Sequence, residues 1–133
     1  PTEGTFQFKN DPTDLLAFMS FAIAEPFGSQ HSLTNLARRL KNECGINITP
    51  LLTFYDHDIE DAVDEINLDA AWQDASTLSA CINAIQMALL EDDQAAALLT
   101  GFENIPCLLD ELAEMTAVAA QREEQIRISF RLP

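Results

Sequence analysis

The densest group of side chains that could do chemistry lies between Asp56 and Glu65, where the chain reads DHDIEDAVDE. Carboxylates and imidazole nitrogens are ligands that divalent cations commonly take from proteins. On a helix, His57, Asp61 and Asp64 stand at positions i, i+4 and i+7 and therefore share one face. We keep His57, Asp61 and Asp64 as candidate ligands of a weak divalent-cation site.

The same segment does not fit a calcium-binding loop of the EF-hand type. When the loop starts at Asp56, the position that requires glycine holds Asp61, and the twelfth position, which requires glutamate, holds Asn67. A structural interpretation competes with metal binding, because Ile59 and Val63 are spaced to form the buried face of a short helix. The acids would then be its solvated side.

Recognisable catalytic motifs are absent from the sequence. Only two histidines, His31 and His57, are present, and four glycines cannot supply a glycine-rich phosphate loop. His31 precedes Ser32, the expected N-cap of the second helix, so we interpret this histidine as a loop residue near a helix start. We predict no enzymatic activity, no catalytic residue and no cofactor, and keep a small enzyme with an unrecognised site as the second alternative function.

Charge is distributed very unevenly along the chain. Residues 42–121 contain no Lys or Arg but 16 Asp or Glu, and the whole chain has a net charge of −15. We call residues 42–121 the basic-free window, and we expect almost no internal salt bridges in it. Its negative field repels nucleic acid and anionic membranes and attracts basic proteins, so we predict a basic protein partner and no nucleic acid.

Acids at helix ends and in loops of the basic-free window are the candidate partner-binding residues, because they can reach a cationic surface without unpacking the core. They are Asp56, Asp58, Glu60, Asp61, Asp64 and Glu65, followed by Glu91, Asp92 and Asp93. We predict a non-enzymatic acidic protein-binding module of the inhibitor or immunity, nucleic-acid-mimic or chaperone type. The alternative is a divalent-cation-binding protein that uses the acidic segment 56–65.

Cysteine content and hydropathy indicate the compartment. Cys44, Cys81 and Cys107 lie among apolar residues without C-x-x-C spacing, which is typical of buried free thiols in a reducing environment. No apolar run reaches the roughly 18–20 residues of a membrane span. We therefore expect a cytoplasmic protein that does not bind membranes.

Both ends of the chain alternate apolar and polar residues with the period of a β-strand. The alternation covers residues 5–9 and, over seven residues, residues 126–132. Two isolated strands would be only marginally stable. We expect them to pair with each other or with a third strand from 46–48 or 51–55.

Between the ends, the apolar residues follow a helical period. Helices are predicted from Asp11 to about Glu25, from Ser32 to Gly45, over 58–66, from Asp69 to about 90, over 94–100 and over 105–124. The first is apolar on nearly all sides, so it is either deeply buried or docks a second copy through residues 13–25. The prediction is one α+β domain over 1–133, predominantly helical, with five to six helices and a small sheet formed by the N- and C-terminal strands.

Overall fold

A computed structural model of the chain describes residues 8–25, 31–52, 54–55, 72–123, 125–126 and 128–129. Its helices are α1 Thr13–Ala24, α2 Ser32–Asn42, α3 Thr49–Leu52, α4 Ala75–Glu91, α5 Asp93–Ala97 and α6 Ile105–Gln121. Its strands, of two residues each, are β1 Phe54–Tyr55, β2 Gln73–Asp74, β3 Gln125–Ile126 and β4 Ile128–Ser129. The predicted α+β class, predominantly helical with a small sheet, is confirmed.

Helix α1 is buried on most of its circumference. The Asp11 carboxylate accepts hydrogen bonds from the backbone N–H and the hydroxyl of Thr13, which fixes the turn that leads into the helix. Phe18 and Met19 are fully buried in the core, so these two side chains are not available as anchors of a homodimer. Ile23, with 47% of its surface exposed, is the large apolar residue that α1 leaves open to a second copy.

Helix α2 begins at Ser32, and its N-cap residue is His31, so the expectation that Ser32 would cap this helix is wrong. The His31 Nδ1 atom accepts a hydrogen bond of 3.1 Å from the Leu33 backbone N–H, one of the donors that a helix start leaves unsatisfied. Phe21 stacks on the imidazole at 3.8 Å between ring centroids, and Phe102 meets its edge at 5.5 Å. These aromatic contacts hold the ring in the capping position.

Helices α4 and α6 form the centre of the core. Ala75, Leu78, Ile82 and Ile85 recur at spacings of three and four along α4 and are all buried in the core cluster. The predicted start of this helix at Asp69 is wrong, because Gln73 and Asp74 form strand β2 and the helix begins only after them. Their backbone pairs with the C-terminal segment instead of continuing the helix.

The C-terminal segment is paired with the middle of the chain. Strand β3 is antiparallel to β2, with Ile126 opposite Gln73, and β4 is parallel to β1. The predicted third strand within 51–55 is therefore one of its partners. Of the predicted N-terminal strand, residues 5–7 lie outside the described part, while Phe8 and Lys9 adopt no strand conformation. The described pairs accordingly join the C-terminal strand to residues 54–55 and 73–74.

None of the helices within the described ranges combines the length and the hydrophobicity needed to traverse a lipid bilayer.

Candidate functional site

The predicted site residues fall into two parts. The first part is segment 56–65, which lies outside the described residues. It contains six predicted partner-binding acids and the candidate metal ligand His57: the acids are Asp56, Asp58, Glu60, Asp61, Asp64 and Glu65. Among the residues that are described, no group of three or more His, Cys, Asp or Glu side chains is arranged to hold a metal ion. The partner-binding and metal-binding roles of segment 56–65 stay predictions from sequence.

The remaining predicted acids, Glu91, Asp92 and Asp93, lie where α4 ends and α5 begins. Glu91 and Asp93 are exposed, so both carboxylates can be reached by another molecule. Asp92 differs, because its Oδ2 atom lies 2.7 Å from Arg39 Nε and its Oδ1 atom accepts from Arg39 Nη2 at 3.1 Å. We expected almost no salt bridges in the basic-free window, and Asp92 makes one, to Arg39, which lies outside the window.

Asp92 also organises the backbone around it. Its carboxylate accepts hydrogen bonds from the Gln94 and Ala95 backbone N–H groups and is the N-cap of α5. The Cys44 thiol lies 3.6 Å from its second oxygen. The Arg39 hydrogen bond, with help from the two backbone donors, holds the pKa of the Asp92 carboxyl below its usual range. Asp92 thus joins α2 to the α4–α5 junction.

Replacing Asp92 by Asn is expected to lower the melting temperature by roughly 2–4 °C at neutral pH, because Asn retains capping ability but loses the charged bond to Arg39. The folded-state pKa of Asp92 is lowered, so its contribution to stability is present above the unfolded-state pKa and is lost as pH falls through the folded-state value. The difference between wild type and variant should therefore shrink below about pH 4. Calorimetric melting over a pH series measures this difference.

Asp93→Asn is the matched control, since Asp93 is exposed and adjacent. A difference between wild type and Asp92→Asn that stays constant down to pH 2–3 would contradict the ion-pair assignment.

The three thiols have different environments. Burial raises the pKa of both Cys44 and Cys81, and the nearby Asp92 carboxylate adds to the effect at Cys44. Cys81 is buried, Cys44 is half-buried and Cys107 is exposed on α6, so the expectation of three buried thiols holds for Cys81 alone. A raised pKa reduces the thiolate fraction, which makes Cys44 and Cys81 poor nucleophiles.

An apolar cavity of about 470 Å³ opens between the end of α4, the α5 region and the start of α6. We call it the α4–α6 cavity. Its apolar lining consists of Leu89, Leu90, Ala96, Leu99, Pro106 and Leu109. Leu109 is buried at the core, whereas Leu90 has 81% of its surface exposed at the mouth. A single exposed leucine is ordinary on a protein surface, but Leu90 is continuous with the apolar lining of the cavity and so enlarges the apolar surface that another molecule can contact.

The polar side chains of the α4–α6 cavity are acidic or neutral. They are Gln86, Thr100, Glu103 and Asp110, so the lining residues that the structure describes include two carboxylates and no Lys, Arg or His. Gln86 Nε2 donates to Asp110 Oδ1 at 2.8 Å, which links α4 to α6 across the cavity. The Gly101 backbone N–H donates to Glu103 and lowers the pKa of its carboxyl, which keeps that residue ionised.

Sequence reasoning missed the α4–α6 cavity because it depends on three elements that meet only after folding. The available signal was Leu90, an apolar residue directly before the acids that end α4. Comparisons of the chain with protein-family models, curated proteins and solved structures give no match. Function is therefore inferred from the charge and shape of the described surface.

Proposed function

We propose that the protein is a non-enzymatic acidic binding module that engages a basic protein partner. The supporting observation is that the described surface carries exposed carboxylates without an ionic partner among the described residues, while the cations of α2 are held in ion pairs. The three basic side chains of α2 are held in ion pairs with two carboxylates, since Arg38 and Lys41 both bridge to Glu25, at 3.4 and 3.2 Å, and Arg39 bridges to Asp92. The side of the molecule that carries α2 therefore contributes little net positive charge.

The acids at the end of α4 and the start of α6 differ from Glu25 and Asp92, which are paired with the cations of α2. Glu91, Asp93, Glu103 and Asp110 are exposed and make no ion pair with another described residue. Of these acids, Glu103 and Asp110 line the α4–α6 cavity, so this surface offers both a long-range attraction for cations and a place for apolar contacts. An inhibitor, an immunity protein, a nucleic-acid mimic or an acidic chaperone would each use such a surface.

Electrostatic attraction would act mainly on the rate of encounter. Steering of oppositely charged proteins raises association rates from about 10⁵–10⁶ to as much as about 10⁸–10⁹ M⁻¹s⁻¹ at low salt. Specificity would then come from a small number of apolar anchors. The free thiols Cys44, Cys81 and Cys107 favour a reducing compartment, so a cytoplasmic partner is part of the proposal.

Affinity capture from a lysate of the source organism tests the proposal. The baits are wild type, a variant with Glu91→Lys and Asp93→Lys, and a variant with Asp61→Lys and Asp64→Lys. We expect wild type to retain proteins of high isoelectric point, and each charge-reversed variant to retain several-fold less of them, because like charges now meet at the contact surface. Quantitative mass spectrometry of the eluates measures the ratio.

A variant with Glu123→Lys and Glu124→Lys is the control, because it changes the formal charge by the same amount outside the basic-free window. Equal capture of the basic proteins by all four baits, or retention of mainly acidic proteins, would overturn the proposal.

A further inference from the structure

We propose that the α4–α6 cavity binds an amphipathic helix of the partner. Two apolar side chains one turn apart would enter the cavity, and Lys or Arg residues beside them would pair with Glu103 and Asp110. This inference rests on the proposed function, since it names the part of a basic partner that the protein recognises.

The dimensions of the cavity match one turn of a helix. The α4 wall is formed by Gln86, Leu89 and Leu90, and the α6 wall repeats their i, i+3, i+4 spacing with Pro106, Leu109 and Asp110. One helical turn rises about 5.4 Å, so two residues at i and i+4 of a partner helix would span a wall of this length. The volume of about 470 Å³ lies within the range of roughly 300–1,000 Å³ that is usual for binding pockets.

The α4 and α6 walls of the cavity favour a ligand that binds through its side chains over an extended peptide that adds a β-strand. The α4 and α6 walls are α-helical, and residues within a helix use their backbone N–H and C=O groups for internal hydrogen bonds. An extended peptide would find no sheet edge to pair with along these two walls, whereas an amphipathic helix binds through its side chains and needs no backbone partner. A helix is therefore the occupant that fits helical walls.

The charges at the mouth select a basic helix. Asp110 accepts from Gln86 through Oδ1 and Glu103 accepts from Gly101 through Oε1, and both side chains are exposed, so their carboxylate oxygens remain accessible to a cation. A cation placed next to the apolar anchor would reach these oxygens, while an acidic helix would meet two like charges. Charge complementarity therefore favours a helix whose apolar anchor residues are flanked by Lys or Arg.

Three synthetic 16-residue peptides test this inference by fluorescence anisotropy. The first is an amphipathic helix of Leu and Lys, the second replaces every Lys by Glu, and the third scrambles the first so that no apolar face remains. We expect only the first to bind wild type in the micromolar range at physiological ionic strength. Leu90→Ser should weaken its binding about tenfold or more, because burial of a leucine would be lost.

Variants separate the apolar and the ionic contributions. The double substitution Glu103→Gln and Asp110→Asn should weaken binding about three- to tenfold and reduce its salt dependence, because two charge pairs would be removed. Ile23→Ser on α1 is the control for loss of an exposed aliphatic side chain and should leave the affinity unchanged. Circular dichroism of each variant verifies that the helices are intact.

The outcomes distinguish the cavity from the proposed function. The cavity is not a helix site if the first peptide does not bind, if the scrambled peptide binds equally well, or if Leu90→Ser has no effect. In that case, charge-dependent capture of basic proteins would still support the proposed acidic binding module. Equal binding of the Glu peptide would overturn the charge selection. Loss of charge dependence in the capture experiment would overturn the proposed function, whatever the peptides do.

Discussion

Deletion of residues 125–133 is expected to lower the free energy of unfolding by about 3–5 kcal/mol, a large part of the roughly 5–15 kcal/mol that stabilises a domain. Strand β3 places Ile126 in the core with only 8% of its surface exposed, and burial of such a side chain contributes about 1.5–3 kcal/mol. The deletion also removes the partners of β1 and β2, which leaves their backbone groups unpaired. Urea denaturation monitored by circular dichroism measures the loss.

Single substitutions identify the source of this loss. Ile126→Ala should reproduce about 2–4 kcal/mol of it, whereas Gln125→Ala, at an exposed neighbouring position, should change the free energy of unfolding by less than about 0.5 kcal/mol. A truncated protein that melts cooperatively within a few degrees of the full chain would refute a structural role for the C-terminal strands.

Phe18→Ala is expected to lower the free energy of unfolding by about 3–5 kcal/mol without changing the oligomeric state. Phe18 has 1% of its surface exposed and lies in the same buried cluster as Leu15 and Met19. Its removal would leave a cavity inside one chain and would not open an interface. Chemical denaturation measures the stability, and sedimentation velocity at several concentrations measures the mass.

Ile23→Glu is the companion variant, because Ile23 is the exposed apolar residue of the same helix. We expect it to remain folded with little change in stability. If wild type sediments as a dimer and Ile23→Glu as a folded monomer, the predicted homodimer uses the exposed side of α1. A dimer that Phe18→Ala dissociates into stable monomers would contradict the intrachain burial of Phe18.

The parts of the fold that depend on local periodicity were predictable from sequence. The burial of Leu78, Ile82 and Ile85 follows from their spacing of four and three, since such residues share one helix face. The end of α2 follows from Gly45, whose φ of 67° is a conformation that glycine adopts without steric cost. In both cases the structure is decided by residues within a few positions of one another.

The remaining features depend on residues far apart in sequence. The sequence around Gln73 and Asp74 is compatible with a helix, yet their backbone pairs with residues 125–126. Nothing in the neighbouring sequence predicts this pairing. The same holds for the contact between Arg39 and Asp92, which are 53 positions apart. The acidic rim of the α4–α6 cavity was likewise not predictable, because Glu103 and Asp110 meet Leu90 only when α4 and α6 pack together.

The ionic-strength dependence of the association rate tests most directly whether the acidic surface recruits basic partners. Stopped-flow mixing with the Leu–Lys peptide would compare wild type with the Glu91→Lys, Asp93→Lys variant from about 20 to 500 mM salt, over which the Debye length falls from above about 20 Å to below about 5 Å. We predict that the wild-type rate falls steeply with salt, and that the variant rate is lower at low salt and nearly flat. Rates that respond neither to salt nor to the substitutions would contradict the account and leave the acidity a role in solubility alone.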